Sequence, residues 1–340
     1  MESRTSRIKK RKKKKALKIT IIAIVSILIF IIGIVVSFAY TKLNQVNRVA
    51  ISNNDLDLGI TDDVKSLLDN KFVDENTGKE VPYHSVQNIL LTGIDHVENA
   101  TDTMIVVSID KTANKIKMTS IYRDTYIENT PEGQVPKLNY AHKYGGIQNT
   151  VKVINENFKL DIRDYVNVDV QGFFNVVDSI GGVTLNVPTE DVWAINKKID
   201  FICENDYPSA DPSSNYLSQG GPQELNTIQT IAYVRYRTSS GDYARTDRNR
   251  AFMEAVLNKI ISMPISQYLS LYDSISQYFE TTLSSMDLIN LVKSAISYAP
   301  NGIAQSAFPY DAETIFVNGW NYFGWDQPSN IEKIHEFIYK

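Results

Sequence analysis

Two arginines separated by one residue are the strongest chemical signal in this 340-residue sequence. Arg235 and Arg237 belong to the run IAYVRYR, over residues 231–237, whose pattern predicts a β-strand. Residues two apart in a strand project to the same face, so the two guanidinium groups would lie side by side and repel each other. Because an arginine fork matches phosphate oxygens in two places, this arrangement predicts a phosphate between them.

A second polar set follows a short distance downstream. Arg245, Arg248 and Asn249 are spaced i, i+3 and i+4, so they share one helix face if the predicted helix Asp247–Ile261 has started by then. Arg123 ends another predicted strand. For any single arginine the alternative is a surface salt bridge with one of the many acids, but the clustering favours a phosphate site for the set.

Two aspartates supply carboxylates in the same part of the predicted fold. Asp95 ends a predicted strand, and Asp102 lies in the loop before the next one. A carboxylate pair together with substrate phosphate oxygens is a usual way to hold Mg²⁺. The pair makes Mg²⁺ a candidate cofactor, although aspartates are common in loops and a turn or cap role is the more frequent one for such residues.

Other catalytic chemistries find no support in the sequence. It contains neither a G-x-S-x-G elbow nor a phosphate-binding G-x-x-x-x-G-K loop. Its four histidines (His84, His96, His142 and His335) lack metal-ligand spacing. The single cysteine, Cys203, excludes an internal disulfide framework and has no basic neighbour in sequence that would make it a nucleophile.

Strands and helices alternate along the chain beyond residue 84. The predicted strands are Asn88–Asp95, Met104–Ile109, Ile116–Ile121, Tyr165–Val170, Val183–Val187 and Ile231–Arg237, with a terminal strand pair around Ile303–Pro309 and Trp320–Trp325. The predicted helices are Asn149–Phe158, Phe173–Ile180, Asp247–Ile261, Ile265–Phe279, Ser285–Ser297 and one after the terminal pair. This alternation predicts an α/β domain with a mixed sheet between helical layers, and ligands in such folds bind at the carboxyl ends of strands.

The N-terminal region predicts a membrane anchor. Residues 19–41 contain no charge and, as a helix of about 34 Å, are long enough to cross a hydrocarbon core of roughly 30 Å. Residues 1–18 hold ten Lys or Arg, which predicts a cytoplasmic tail by the positive-inside rule. We expect an extracellular spacer over 42–84 and a catalytic domain over 85–340. A cleaved signal peptide is the alternative, but no small-residue cleavage site follows the apolar run.

The charge outside that tail is acidic. Of the 35 basic and 39 acidic residues in the chain, 25 basic and 38 acidic residues lie beyond residue 18. Proteins that bind nucleic acid usually spread positive charge over the folded face. We therefore expect membrane lipid, but no nucleic acid, among the partners.

Several motifs, in order over about residues 86–263, resemble the LytR-CpsA-Psr family of Gram-positive cell-wall proteins. The motifs are NILLTGID, ATDTMIVVSID, KMTSIYRDTYI, KLNYAHKYGG, VDVQGFFNVVDSIGGVTLNVP and AYVRYRTSSGDYARTDRNRAF. The resemblance implies an α/β/α sandwich with an apolar tunnel for a polyprenyl chain, outside the cell and anchored by one span. It also implies transfer of a glycopolymer, of teichoic acid or capsular type, from an undecaprenyl-pyrophosphate carrier to peptidoglycan by phosphodiester formation.

Site residues carry over from the family motif by motif. Asp95 and Asp102 match the magnesium carboxylates. The matches to pyrophosphate-binding positions are Arg123, Arg235, Arg237, Arg245, Arg248 and Asn249, and the residues expected to act in catalysis are Arg123, Arg235, Arg237 and Asp242. The chain departs from the family pattern in four places: Ala100 replaces an arginine, Tyr122 a proline and Asn249 a glutamine, and the usual arginine after Asp95 is missing from the stretch 96–99.

Two other functions stay open at this point. A polyprenyl-phosphate-binding scaffold with little turnover would use the same pocket, and the missing arginine at position 100 favours it. A membrane-bound transcriptional attenuator is the second, but only some 18 residues would face the cytoplasm, too few for a DNA-binding helix-turn-helix.

Overall fold

The computed structural model describes residues 47–69, 71–73, 78, 80–95, 98–236 and 241–340. The predicted tail 1–18, the predicted transmembrane helix 19–41 and Arg237 lie outside these residues. Asp95, Asp242 and Arg245 are described by their backbone alone. Within the described ranges, no helix has both the length and the apolar character needed to cross a membrane.

A seven-stranded mixed sheet organises the described chain. The strands are β1 (Asn47–Arg48), β2 (Lys71–Val73), β3 (Glu80–Pro82), β4 (Val86–Asp95), β5 (Ala100–Asp110), β6 (Lys115–Ile121), β7 (Asp164–Asp169), β8 (Val183–Val187), β9 (Gly221–Leu225), β10 (Phe279–Thr281), β11 (Ile303–Phe308), β12 (Glu313–Val317) and β13 (Trp320–Gly324). The sheet order is β1-β10-β7-β4-β5-β6-β11. Strands β4, β5 and β6 pair antiparallel, whereas β7 and β11 pair parallel to their neighbours β4 and β6. The expected central mixed sheet is confirmed.

Helices cover both faces of this sheet. They are α1 (Asp62–Leu68), α2 (Ala141–Phe158), α3 (Val170–Ser179), α4 (Val192–Asn205), α5 (Thr227–Arg235), α6 (Gly241–Ser262), α7 (Ile265–Ile275), α8 (Ser285–Tyr298) and α9 (Gln327–Tyr339). Neighbouring strand residues alternate between the two faces: Leu90 packs in the core with α2 and α9, and Ile89 in the core with α8. A further apolar core joins α3–α7 with β8 and β9.

Part of the segment expected to be a spacer packs into the domain. Strand β1 forms one edge of the central sheet. Val64 and Leu68, on one side of α1, are buried in the same core as α2 and α9. The amphipathic spacing of this short helix explains why residues before 85 belong to the folded unit, which begins at Val46.

The predicted strand over residues 231–237 is wrong, because helix α5 occupies Thr227–Arg235. A capping box starts this helix: the Asn226 side chain accepts from the Gln229 backbone, and the Gln229 side chain accepts from the Asn226 backbone. The helix then buries five consecutive residues from Thr230 to Val234. A short helix that is buried all round has the apolar run of a buried strand, so the pattern could not separate the two.

The predicted terminal strand pair is also wrong, although both of its strands exist. Strand β11 pairs parallel with β6, and β13 pairs with β12, which the sequence analysis did not predict. Asn318 and Gly319, the two residues between β12 and β13, both have positive φ, at 50° and 85°. An Asn-Gly pair with two positive φ angles is the favoured two-residue hairpin turn, so this signal was present in the sequence.

Candidate active site

Asp102 occupies a β-bulge at the end of the β4–β5 hairpin. Thr101 pairs with Ile94 and Thr103 with Gly93, which leaves Asp102 as the extra residue between two consecutive pairs. A bulge bends the strand and re-aims the side chain that it carries. The aspartate therefore has a direction that a regular strand would not give it, at the carboxyl end of β4.

Arg123 lies just beyond β6, in a segment whose backbone is held by three parts of the chain. Its carbonyl oxygen accepts from the Asn139 N–H at 3.0 Å. The preceding residue, Tyr122, donates to the Phe308 carbonyl at 2.8 Å, and the following residue accepts from the Phe323 N–H at 2.8 Å. Strands β11 and β13 thus fix the backbone from which the guanidinium projects.

The side chains around Arg123 form a series of alternating charges. Arg123 Nη1 pairs with Asp102 Oδ1. Its Nε lies 3.4 Å from Asp124 Oδ1, which is 2.9 Å from Lys137 Nζ. The side chains of Arg123, Asp124 and Lys137 are 16%, 11% and 11% exposed, and that of Asp102 is 37% exposed. Each interior charge has an opposite neighbour, which offsets its desolvation, and the series opens to solvent at Asp102.

Asp102 and Arg123 share a cleft with Asn249 of helix α6. The cleft is shallow and open to solvent, and it is lined by Asp102, Thr103, Met104, Ile105, Ser120, Ile121, Arg123 and Asn249. Its walls are the ends of two central strands and one turn of α6. The structure therefore brings together three of the predicted site residues that are distant in sequence.

Arg248 contacts the protein's own backbone. Its Nε donates to the Tyr233 carbonyl at 3.1 Å and its Nη2 to the Tyr236 carbonyl at 2.6 Å. The guanidinium also lies 3.8 Å from the centroid of the Tyr236 ring, and the residue is 6% exposed. These contacts join α6 to the end of α5, so the geometry gives Arg248 a role in the fold.

Arg235 ends helix α5 and forms an ion pair elsewhere on the surface. Its Nη1 lies 3.1 Å from Asp206 Oδ2, and its guanidinium carbon lies 5.3 Å from the centroid of the Phe174 ring. Because Arg235 ends a helix, the strand on which the predicted pairing of Arg235 and Arg237 depended does not form, and Arg237 lies outside the described residues. The structure does not bring Arg235 into the cleft lining.

The predicted magnesium carboxylates come from adjacent strands. Asp95 ends β4, where its backbone pairs with Ala100, two residues before Asp102. Carboxylate oxygens are the hard donors that Mg²⁺ prefers, and this ion keeps several ligand positions for water and phosphate. In the described part of the chain, no three His, Cys, Asp or Glu side chains lie close enough together to hold a metal ion. Asp102 offers one such carboxylate at the cleft, and Asp95 is described by its backbone alone.

Sequence reasoning missed Lys137, which completes the charge series through Asp124. The residue begins the motif KLNYAHKYGG, so the signal lay within a run that was already noted. The contact depends on the loop after β6 returning beside that strand, where Leu138 N donates to the Thr125 carbonyl at 3.0 Å. A long-range return of this kind leaves no local pattern.

Comparison with known proteins identifies relatives of this chain. The profile of the LytR_cpsA_psr family matches residues 59–337. The chain belongs to the LytR-CpsA-Psr family. It is 30% identical over 256 residues to the polyisoprenyl-teichoic acid–peptidoglycan teichoic acid transferase TagU of Oceanobacillus iheyensis, a match covering 72% of each chain. It is 27% identical to the transferase TagV of Bacillus subtilis, over 81% of this chain and 67% of that one.

Solved structures show the same fold. The crystal structure of Bacillus subtilis TagV superposes with a TM-score of 0.59 at 23% identity, over 75% of this chain and 96% of that one. A structure described as a LytR-CPS2A-psr family protein with bound octaprenyl pyrophosphate lipid superposes with a TM-score of 0.55, also at 23% identity. It covers 75% of this chain and 89% of that one.

Proposed function

We propose that this protein transfers a glycopolymer from a polyprenyl-pyrophosphate carrier to peptidoglycan. The observation that carries the proposal is the cleft in which Asp102, Arg123 and Asn249 meet. The names of the relatives TagU and TagV support teichoic acid as the polymer and peptidoglycan as the acceptor. The relative with bound octaprenyl pyrophosphate supports a lipid-linked donor, for which we propose undecaprenyl pyrophosphate. A capsular polysaccharide is the alternative polymer.

The proposed reaction forms one phosphodiester. A sugar hydroxyl oxygen of peptidoglycan attacks the phosphorus that carries the glycopolymer. The bond from that phosphorus to the bridging oxygen breaks, and polyprenyl phosphate leaves with the electron pair. Catalysis of this kind consists mainly of alignment and neutralisation of charge on the transferred phosphoryl group. Arg123 would supply the positive charge, and Asn249 would bind a phosphate oxygen from the facing wall.

The hydroxyl proton needs an acceptor. Asp124 is engaged by both Lys137 and Arg123, so it orients the guanidinium. We propose Asp242, in the first turn of α6, as the base. Arg235, Arg237, Arg245 and Arg248 remain matches to the family's pyrophosphate-binding positions, and the contacts of Arg235 and Arg248 favour structural roles for these two.

Asp95 and Asp102 would hold Mg²⁺. The ion would supply positive charge to the diphosphate, complementing Arg123. Asp102 serves two purposes in this proposal, because the same carboxylate also pairs with Arg123.

We also propose that the protein is a single-pass protein of the Gram-positive cell membrane, with its N-terminus in the cytoplasm and its catalytic domain outside. The support is the uncharged run over residues 19–41 and the basic residues before it. Such an anchor would keep the cleft close to a lipid substrate that cannot leave the bilayer.

A scaffold that binds the lipid diphosphate with little turnover is the second candidate. Ala100, where the family pattern has an arginine, is fully buried on β5, so the chain has lost a cation beside the bulge. Fewer cations would weaken stabilisation of the transferring group more than binding of the ground state.

A transfer assay distinguishes the transferase from the scaffold. It combines the purified full-length protein with a labelled polyprenyl-pyrophosphate glycopolymer and peptidoglycan. We expect label to move to peptidoglycan in the presence of Mg²⁺ and to stay on the lipid in excess chelator. Binding of the lipid without transfer would identify the scaffold. Transfer at full rate in chelator would refute the magnesium assignment while leaving the transferase intact.

A further inference from the structure

An exposed aromatic side chain lies beside the charge series of the candidate active site. Trp320, the first residue of β13, is 49% exposed. The Lys137 Nζ lies 5.9 Å from the centroid of its ring. Because Lys137 pairs with Asp124, and Asp124 contacts Arg123, only two side chains separate the indole from the Arg123 guanidinium.

A buried tyrosine lies beside Trp320 on the same strand. Tyr322 lies two positions along β13, on the same face, and is 2% exposed. Its ring packs edge-on against Tyr126 at 5.5 Å and lies 5.7 Å from Lys137 Nζ. Burial, followed by the nearby tyrosines, raises the pKa of Tyr322, so this layer stays neutral. Trp320 is therefore the exposed end of an aromatic layer that is buried at Tyr322.

The indole N–H of Trp320 donates to no group among the described residues. The side chain thus offers solvent an apolar ring and a hydrogen-bond donor together. A single exposed ring is far smaller than the roughly 800 Å² that each partner buries in a stable protein interface. It does match one sugar ring, whose C–H face can pack on the indole while a hydroxyl at its edge accepts from the N–H.

We propose that Trp320 binds a sugar ring of the acceptor glycan strand and thereby presents a hydroxyl group towards Arg123. This inference rests on the proposed function, since it assigns the acceptor side of the same site. We assign a glycan to Trp320 because the molecule that accepts the phosphoryl group has to reach Arg123. Trp320 is the exposed ring that Lys137 and Asp124 connect to Arg123.

Phe316 offers a matched control on the same hairpin. It pairs with Asn321, whereas Trp320 pairs with Val317, so Phe316 and Trp320 project from opposite faces. Phe316 is 72% exposed, more than Trp320. Phe316→Ala removes a more exposed aromatic ring without touching the face that contacts Lys137.

The experiment titrates a peptidoglycan tetrasaccharide into the purified full-length chain by calorimetry, without lipid donor. We expect Trp320→Ala to weaken binding at least tenfold, Trp320→Phe to weaken it less, and Phe316→Ala to stay within twofold of wild type. Melting temperatures establish that each variant folds. In the transfer assay, Trp320→Ala should raise the KM for acceptor and leave the KM for the lipid donor unchanged.

Three results would overturn the inference: no tetrasaccharide binding by the wild type, equal affinity in Trp320→Ala, or an equal loss in Phe316→Ala. The titration requires neither donor nor turnover. A wild-type protein that binds the glycan through Trp320 but transfers nothing would therefore contradict the proposed function and leave the glycan site standing.

Discussion

Individual arginines in this protein have different uses, which their immediate neighbours decide. Arg123 lies between two carboxylates and lines a cleft. Arg248 is more buried and has carbonyl oxygens as acceptors. A carboxylate that is partly exposed, such as Asp102, can rearrange when a phosphate competes for the guanidinium, whereas a backbone carbonyl cannot leave its place. Of these two arginines, Arg123 is therefore the one that can exchange partners.

Replacement of Arg248 by methionine should destabilise the fold. Two buried carbonyls would lose a charged donor, and hydrogen bonds to charged groups contribute about 1.5–3 kcal/mol each. We expect the free energy of unfolding in urea to fall by about 2–4 kcal/mol. Arg250→Met, on the same helix, removes an ion pair with the exposed Asp247 and should cost about 0–1 kcal/mol. Equal losses in the two variants would contradict the structural role of Arg248.

At the scale of elements, the sequence was informative where turn or cap residues mark the ends of apolar runs. The hairpin β5–β6 follows from the two apolar runs that flank Lys111-Thr112-Ala113-Asn114, and Gly181 and Gly182 follow the end of α3 with positive φ, as expected of a C-terminal cap. The prediction failed at helix α5, because this helix is buried all round and has the apolar run of a buried strand. The bulge at Asp102 could not be predicted, since it is a register shift between two strands and not a property of either.

The sequence predicted part of the candidate site. Asp102, Arg123 and Asn249 meet as the family motifs imply, because each motif keeps its own local position at a strand or helix end. The side-by-side arrangement of Arg235 and Arg237 depended on a strand that does not form. The contact between Lys137 and Asp124 forms because the loop after β6 folds back towards the end of that strand. No local periodicity in the sequence predicts such a contact.

Strand β6 and helix α9 meet at a buried lysine with a pH-dependent effect on stability. The Nζ of Lys117 donates to the Ile338 carbonyl at 3.1 Å in the last turn of α9. Burial, with a smaller contribution from Lys115, lowers the pKa of Lys117 from 10.5 to about 8. Below pH 8 the folded and unfolded chains both hold this proton. Between pH 8 and 10.5 the unfolded chain holds more protons, so the stability rises with pH.

We expect this group to add about 1–2 kcal/mol to the free energy of unfolding between about pH 7.5 and 9.5. Burial raises the pKa of Tyr236 well above its usual value, and this group opposes the trend only above about pH 10, where unfolded tyrosines ionise. Urea denaturation at the two pH values measures the rise. Lys117→Met should abolish it and Lys111→Met should keep it. An unchanged rise in Lys117→Met would assign it to another group.

At the scale of the whole molecule, charge and hydropathy are segregated along the chain. Positive charge is concentrated before residue 19, an uncharged run follows, and the rest is acidic. The cleft, by contrast, concentrates opposite charges at one end of the sheet. The proposed lipid diphosphate is an anion held at a bilayer. The anchor would keep the acidic domain at that bilayer, and the positive charge of Arg123 would attract the diphosphate locally.

A reporter fused after Lys340 tests the proposed topology. The positive-inside rule places residues 1–18 in the cytoplasm and the remainder beyond residue 41 outside. We expect activity from a reporter that works only after export and none from one that works only in the cytoplasm. Replacing the basic residues of the tail with glutamine should reduce the exported fraction. Full activity of the cytoplasmic reporter would contradict the topology.

The most direct test of the central claim is the rate of glycopolymer transfer by Arg123→Lys. Lysine keeps the positive charge but lacks the planar guanidinium, which can contact Asp102, Asp124 and a phosphate at the same time. Since arginines that stabilise a transferring phosphoryl group contribute 10³-fold or more, we predict a loss on the order of 10³-fold with an unchanged melting temperature. Arg163→Lys, in an exposed ion pair with Asp55, should stay within twofold of wild type. Near-wild-type transfer by folded Arg123→Lys would contradict the assignment of this cleft as the transfer site.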